Sequence, residues 1–196
     1  MKIILATHNR DKIREIKNKL AETDLEILSL DEISDLPDVI EDGTTLEENS
    51  YKKAYEIFTH TNITTIADDT GLLVDALEGK PGVYSARYAG EGCSYDDNCN
   101  KLLEEMKNQD NRKASFETVI TIYNNRVNHQ VKGVLSGEIL RDKRGVGGFG
   151  YDPVFIPKGY DKSLAEIPLS EKNLISHRAK ALDKLMEVIK GGLLKD

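Results

Sequence analysis

The β-branched run Ile63-Thr64-Thr65-Ile66 passes directly into Ala67-Asp68-Asp69-Thr70-Gly71. Runs of this composition read as short buried strands, so two carboxylates and a glycine are expected where a strand ends. In α/β proteins that edge is where ligands bind. Adjacent carboxylates there suit a hard divalent cation. Asp and Gly also populate ordinary turns, and Asp-Asp-Thr-Gly taken alone is more often a solvated acidic turn than a site. The rest of the chain decides between the two readings.

A chain of 196 residues is long enough for one well-cored domain with a smaller lobe, and too short for two independent ones. We therefore expect a single domain over 1–196. A hydrophobic fraction of 39% and a charged fraction of 31% are those of an ordinary globular protein. No apolar run approaches a membrane span, and the opening Lys2-Ile3-Ile4-Leu5-Ala6 is too short for a secretory signal. A cytoplasmic location is the expectation. The net charge of −7 argues against a nucleic-acid polymer as partner, because polymer binding rests on many Lys and Arg contacts to phosphate. A small anionic ligand held by a few cations stays open. Cys93 and Cys99 do not have zinc spacing and are expected to be free thiols. Asn62-Ile63-Thr64 fits a glycosylation sequon that carries no meaning without secretion.

Residues 2–6 read as a strand leading into a helix over Asn9 to Leu20, with Ile13, Ile16 and Leu20 on one face. Leu25 to Leu30 alternates as a half-buried strand does, and an acidic loop runs from Asp31 to Gly43. Thr45-Leu46-Glu47-Glu48 has the form of a capping box, opening a helix that turns Ala54, Ile57 and Phe58 inward. Ser94 to Lys107 is expected to be helical, with Leu102, Leu103 and Met106 as its apolar stripe. Ser115–Tyr123 and Val127–Val134 read as a hairpin across Asn124-Asn125. A last helix is expected to carry Ile175, Ala179, Leu182, Leu185, Met186 and Ile189 on one face, stopped by Gly191-Gly192. Helices at both ends with hairpin strands between them indicate α/β with a mixed sheet.

Several segments carry chemistry. Thr7-His8-Asn9-Arg10-Asp11-Lys12 joins the first strand to the first helix, and helix N-termini favour anions. The segment is not a P-loop, and Asn9 as a plain N-cap with Lys12 on a solvated face is an equal alternative. Glu41 reads as a solvated loop carboxylate unless the fold brings it to Asp69, where the two could share magnesium with substrate phosphates. Asn49 and Lys53 share a helix face, although Lys53 taken alone reads as a surface lysine. Phe149 follows glycines that allow close backbone approach and could stack on a base, worth about 1–3 kcal/mol, with Asp152 reading a ring N–H. It is equally an ordinary core aromatic. Lys172, Ser176, His177, Arg178 and Lys180 cluster where the last helix begins. Such clusters are usually solvated faces, but Arg also offers a planar fork of donors. His177 has no Ser or Cys partner in a nucleophile motif, which argues against covalent catalysis.

Taken in order, Thr7-x-Asn9-x-x-Lys12, Glu41-x-Gly43 with Glu48-Asn49 and Lys53-Ala54, Ala67 to Gly71, Pro81 to Gly90, Gly148 to Pro153 and Ser176-His177-Arg178 span nearly the whole chain. Their order and spacing resemble the inosine triphosphate pyrophosphatase family, magnesium-dependent hydrolases of non-canonical purine nucleoside triphosphates. His8 stands where that family often has a small residue, Thr70 where it often has serine, and Ala179 where it often has glycine.

The resemblance implies an elongated mixed β-sheet with helices forming two lobes around a central cleft, and a homodimer. It implies that Thr7, His8, Asn9, Arg10, Asp11 and Lys12 cradle the triphosphate as one turn, with Lys53 adding charge. Glu41 and Asp69 would hold Mg²⁺, and Asp69 would also be the general base. Asp68 would support that geometry and Thr70 would touch substrate. Phe149, with Gly150 and Tyr151 beside it, would stack on the base, while Asp152, Lys172, His177 and Arg178 would orient and read it. Arg87 would be a phosphate contact. The implied reaction is hydrolysis of ITP, dITP or XTP to the monophosphate and pyrophosphate. Two alternatives stay open at this point: a pyrophosphatase for another modified nucleotide, and a nucleotide-binding module that does not hydrolyse.

Overall fold

The computed structural model describes residues 1–21 and 23–194. Among them are five α-helices and a mixed seven-stranded sheet. β1 (Lys2–Leu5) lies parallel to β2 (Glu26–Ser29), with Lys2 opposite Glu26 and Leu5 opposite Ser29. β1 is also parallel to β3 (Thr65–Val74), through Ile4 opposite Thr65 and Leu5 opposite Ile66. Parallel neighbours need long crossovers, and α1 (Arg10–Leu20) and α2 (Leu46–Thr61) supply them. β5 (Lys113–Tyr123) and β6 (Asn128–Ile139) follow β3 in the sheet, and β7 (Phe155–Pro157) closes it antiparallel to β6. β4 (Pro81–Gly82) pairs antiparallel with the end of β3. The remaining helices are α3 (Tyr95–Glu105), α4 (Leu169–Ile175) and α5 (His177–Lys190).

The chain divides into two compact units, and the divisions fall inside β3, β5 and β6 and in the first turn of the last helix, after Arg178. The first comprises residues 1–69, 118–133 and those from Ala179 onward. Successive strand side chains point to opposite faces, and β1 fills two cores in that way. Ile3 and Leu5 pack with Ile16 and Leu20 of α1 and Leu182 and Leu185 of α5. Ile4 and Ala6 pack with Ala54 and Ile57 of α2 and with Ala67. α2 begins at the anticipated capping box: Thr45 Oγ1 accepts from Glu48 N, and Glu48 Oε2 accepts from Thr45 N. Asn124 closes the β5–β6 turn, its Oδ1 accepting from the amides of Arg126 and Val127 at 2.8 Å each.

The second unit, Thr70–Glu117 with Val134–Arg178, has its own core. Leu72, Val74, Leu102, Met106, Phe116, Leu135, Phe155 and Leu164 pack together there, with Leu103 half-buried beside them. β6 alternates along this stretch, turning Leu135, Gly137 and Ile139 inward. Gly137 lies so close to β7 that a Cβ would collide with the carbonyl oxygen of Ile156 and the ring of Phe155.

Two expectations are corrected. The strand does not end at the acid pair, because β3 runs ten residues, through Asp68, Asp69 and Gly71 to Val74. β1 stops pairing at Ile66, yet the ladder continues because β5 flanks β3 and β4 pairs with Leu72 and Leu73. The last helix is also two helices. Ser176 adopts an extended backbone (ψ 157°), so Ile175 belongs to α4 while Ala179, Leu182, Leu185 and Met186 are the buried face of α5. Both cysteines are free thiols. No helix among the described residues is long and apolar enough to cross a membrane.

Candidate active site

In the first unit, two lysines from different helices converge on the adjacent carboxylates Asp68 and Asp69. Asn9 caps α1, its Oδ1 accepting from the amides of Asp11 (3.0 Å) and Lys12 (3.2 Å), and Thr7 Oγ1 accepts from Asn9 N at 3.2 Å. Asn9 is therefore a cap, as the simple reading has it, but Lys12 is not on a solvated face. Its side chain is 15% exposed and its Nζ sits 3.1 Å from Asp68 Oδ2. His8 and Arg10 are exposed. His8 Nδ1 lies 3.6 Å from Asp31, and Asp11 accepts from Arg14 at 2.9 Å.

α2 brings the second lysine. Lys53 is 7% exposed, contrary to its reading as a surface lysine. Its Nζ lies 3.0 Å from Glu41 Oε2 and 3.6 Å from Asp69 Oδ1. Glu41 is therefore drawn out of a solvated loop role. The loop is itself tied down, because Gly43 N donates to Asn49 Oδ1 at 2.8 Å.

Electrostatics follow from this crowding. Burial alone would push the Lys53 ammonium down, but Asp69, Glu41 and Asp68 outweigh it and hold its pKa above the ordinary value. Burial pushes the Asp69 carboxyl up; Lys53 and Lys12 oppose this, while Glu41 and Asp68 reinforce it. A carboxylate raised in this way suits general-base work near neutral pH.

The donor set is all oxygen. Among the described residues no three His, Cys, Asp or Glu side chains gather as a cage for a metal ion. Mg²⁺ characteristically takes one or two carboxylates and completes its shell with phosphates and waters. Two carboxylates sharing one lysine, as Glu41 and Asp69 do, fit that chemistry.

The second unit holds a different constellation. Gly148 has φ +71°, and a Cβ there would collide with the Asp152 carboxylate. That close approach lets Asp152 Oδ2 accept both Phe149 N (2.9 Å) and Lys172 Nζ (2.6 Å). Asp152 and Lys172 have side chains 4% exposed each. The half-buried Phe149 ring has Lys172 Nζ 4.5 Å and Arg178 Cζ 5.8 Å from its centroid, within cation–π range. Arg178, at the start of α5, donates from Nη2 to Thr70 Oγ1 at 3.2 Å. His177 stacks nearly parallel on Phe116, with centroids 4.7 Å apart.

Lys172, Ser176, His177 and Arg178 are all buried, so the solvated-face reading holds only for Lys180. Tyr151 is in the core and its hydroxyl donates to Ser85 O at 2.9 Å. Gly150 has φ +63°, and its carbonyl accepts from Cys99 Sγ at 3.4 Å. Arg87 lies on a one-turn 3₁₀ helix, over the Tyr84 ring at 5.3 Å and 3.8 Å from Glu91.

Read alone, the sequence assigns Ser85 no role beyond its place in the Pro81 to Gly90 segment, and Asn98 none at all. Ser85 Oγ accepts from Leu72 N and donates to Gly82 O, while buried Asn98 bonds Ala89 N through Oδ1 and Ala86 O through Nδ2. Together they brace the loop that carries Arg87. Isolated serines and asparagines give no local signal for such a role.

A mixed α/β sheet bearing lysine-bridged carboxylates and an aromatic flanked by buried cations defines an α/β enzyme equipped for nucleotides. The chain belongs to the Ham1 family, whose model matches residues 3–188. It is 46% identical over 189 residues to the dITP/XTP pyrophosphatase of Flavobacterium johnsoniae, covering 96% of this chain and 98% of the relative. It is 48% identical over 191 residues to the dITP/XTP pyrophosphatase of Thermoanaerobacter pseudethanolicus, covering 96% of each. Among solved structures, the Staphylococcus aureus Ham1 protein superposes with a TM-score of 0.91 at 40% identity, covering 97% of this chain and 99% of that one.

Proposed function

We propose that this chain, acting as one domain over 1–196, hydrolyses the non-canonical purine nucleoside triphosphates ITP, dITP and XTP. The products are the nucleoside monophosphate and pyrophosphate, the reaction depends on Mg²⁺, and the effect is to clear such nucleotides from the pool. The observation that carries the reading is the placement of Lys53 against both Glu41 and Asp69, with Lys12 against Asp68 beside it. The dITP/XTP pyrophosphatases to which the chain is similar support the same substrate class.

In this reading the turn from Thr7 through His8, Asn9, Arg10 and Asp11 to Lys12 cradles the triphosphate, and Lys53 adds charge. Glu41 and Asp69 hold the magnesium ion, which when bound neutralises phosphate charge. Asp69 takes the proton of the attacking water, and Asp68 anchors Lys12. Thr70 touches the substrate. Phe149 stacks on the base beside Gly150 and Tyr151, while Lys172, His177, Arg178 and Asp152 read its edge. Arg87 is a further phosphate contact. Phosphoryl transfer needs positioning and charge neutralisation more than covalent chemistry, and these residues supply both.

Selectivity arises at the purine 6-position. Lys172 and Arg178 are donors only, so a 6-oxo group is accepted and the 6-amino group of adenine is left poorly paired. A buried polar site left unpaired in that way discriminates strongly. The protein works in the cytoplasm as a homodimer, on a small nucleotide and without a nucleic-acid polymer or membrane partner. The test is pyrophosphate release from ITP, XTP, dITP, ATP and GTP with and without magnesium. Release from ITP, XTP and dITP but not from ATP, lost on chelation, is the expected result. Binding of ITP without release would make the protein a nucleotide-binding module instead.

A further inference from the structure

A second polar system lies in the first unit behind the carboxylates, built from residues with no part in the roles above. Ser50 and Thr121 are each completely buried, and their hydroxyl oxygens are 2.6 Å apart. Ser50 Oγ also donates to the carbonyl oxygen of Ala67 at 3.2 Å. Gln130 Nε2 lies 2.9 Å from Thr121 Oγ1 and 2.9 Å from the Glu47 carbonyl oxygen, and donates to both.

The protons can be assigned by counting. A hydroxyl has one proton and a side-chain amide nitrogen has two. Ser50 uses its proton on Ala67, so the short contact with Thr121 has Thr121 as donor. Gln130 uses one proton on Thr121 and the other on Glu47. The chain of donors runs Gln130 to Thr121 to Ser50 to the Ala67 carbonyl, and no proton in it is left over. It ties β6 and β5 to α2 and ends on the residue that precedes Asp68 and Asp69.

The location gives the network its meaning. Ser50 and Lys53 are three apart on α2 and so share a face. Asn49, beside Ser50, holds the loop of Glu41 through Gly43 N. One helical turn therefore fixes the acidic loop, the acid-bearing strand and the lysine that bridges them. We infer that Ser50, oriented by Thr121 and Gln130, is a positioning residue that sets Lys53 against Asp69 for the reaction. The inference rests on the proposed pyrophosphatase activity for its kinetic reading and on the Ser50–Ala67 geometry for its structural one.

The test compares Ser50→Ala, Thr121→Val and Thr121→Ser with the wild type, in steady-state kinetics on ITP and in crystal structures. Thr121→Val keeps the shape and removes the donor, while Thr121→Ser keeps the donor. A displacement of about 1 Å at reacting groups costs roughly 100-fold in rate. We expect Ser50→Ala and Thr121→Val to lower kcat by about 10- to 100-fold with KM changed by less than about threefold, and Thr121→Ser to restore kcat. Assays run well below each variant's Tm, with the active fraction titrated, so a merely structural role would leave kcat in place. Retention of wild-type kcat by Ser50→Ala would overturn the inference. If the wild type releases no pyrophosphate from any of the nucleotides, the activity reading fails and the crystal structures judge the network. A Lys53 Nζ to Asp69 Oδ1 separation in Ser50→Ala unchanged from the wild type would then overturn it, and a displaced one would support it.

Discussion

Lys53 Nζ stands 3.6 Å from Asp69 Oδ1, with both side chains 9% exposed, and the same nitrogen holds Glu41 at 3.0 Å. A buried ammonium between two carboxylates is stable only because each charge offsets the desolvation of the others. In the function proposed above, phosphate oxygens would meet a cation already held in place by these carboxylates.

Replacing Lys53 by Met tests that arrangement. Turnover should fall by roughly 100- to 1000-fold, the scale for losing one preorganised electrostatic contact. Stability should fall far less, because Asp69 is already biased towards its neutral form by burial and can take up a proton when Lys53 is gone. In calorimetry on metal-free protein we expect a Tm loss of no more than about 4 °C, on the scale of 1 kcal/mol for a chain of this size. A collapse of the fold with intact specific activity in the surviving fraction would contradict the assignment.

Arg178 is among the largest fully buried side chains, so its truncation to Ala would mix a cavity with a lost contact. Arg178→Lys keeps the charge and removes the fork of donors. For ITP, kcat/KM should drop about 10- to 100-fold, with a Tm change of only a few degrees. Unchanged kcat/KM would remove Arg178 from substrate recognition.

Much of the first unit was legible from the chain. The helix from Arg10 to Leu20, the capping box at Thr45 and the hairpin around Asn124 rest on local signals, namely periodicity, caps and turn chemistry. The continuation of β3 past Asp69 was not legible, since it depends on β4 and β5 as partners. Neither was the break at Ser176, which a continuous apolar periodicity conceals. Lys53, Lys172 and Arg178 look like surface residues in isolation, and only their partners Glu41, Asp69, Asp152 and Thr70 make burial tolerable. The roles proposed for them rest on the ordered series of motifs, where each residue alone carried little.

Glu32 provides a pH test away from the site. Its carboxylate accepts from Ser29 N and Ser29 Oγ, both at 2.7 Å, and receives Lys17 at 3.4 Å. These bonds, the Ser29 amide first, lower its pKa from 4.5 to about 2. A depressed folded-state pKa contributes stability above the unfolded value and loses it as pH falls through the folded one. The Tm difference between wild type and Glu32→Gln should therefore be full at pH 7, shrink below pH 4.5 and vanish near pH 2. A difference that stays constant over this range would mean that Glu32 acts through shape alone.

The two thiols should differ in reactivity. Cys99 is 2% exposed and burial pushes its thiol up to about 11, whereas Cys93 is only half-buried. Since the thiolate is the reactive form, iodoacetamide at pH 8 should alkylate Cys93 in the native protein and Cys99 only after unfolding, as read by peptide mass spectrometry.

The most direct measurement is magnesium-dependent pyrophosphate release from ITP by the wild type and by Asp69→Asn, alongside ITP binding to both by calorimetry. The expected result is release by the wild type, none by Asp69→Asn, and, in binding titrations without magnesium, where neither turnover nor metal ligation intervenes, affinities within about tenfold of each other, because the missing group acts on the attacking water. Undiminished release by Asp69→Asn, or release of orthophosphate in place of pyrophosphate by the wild type, would contradict the account.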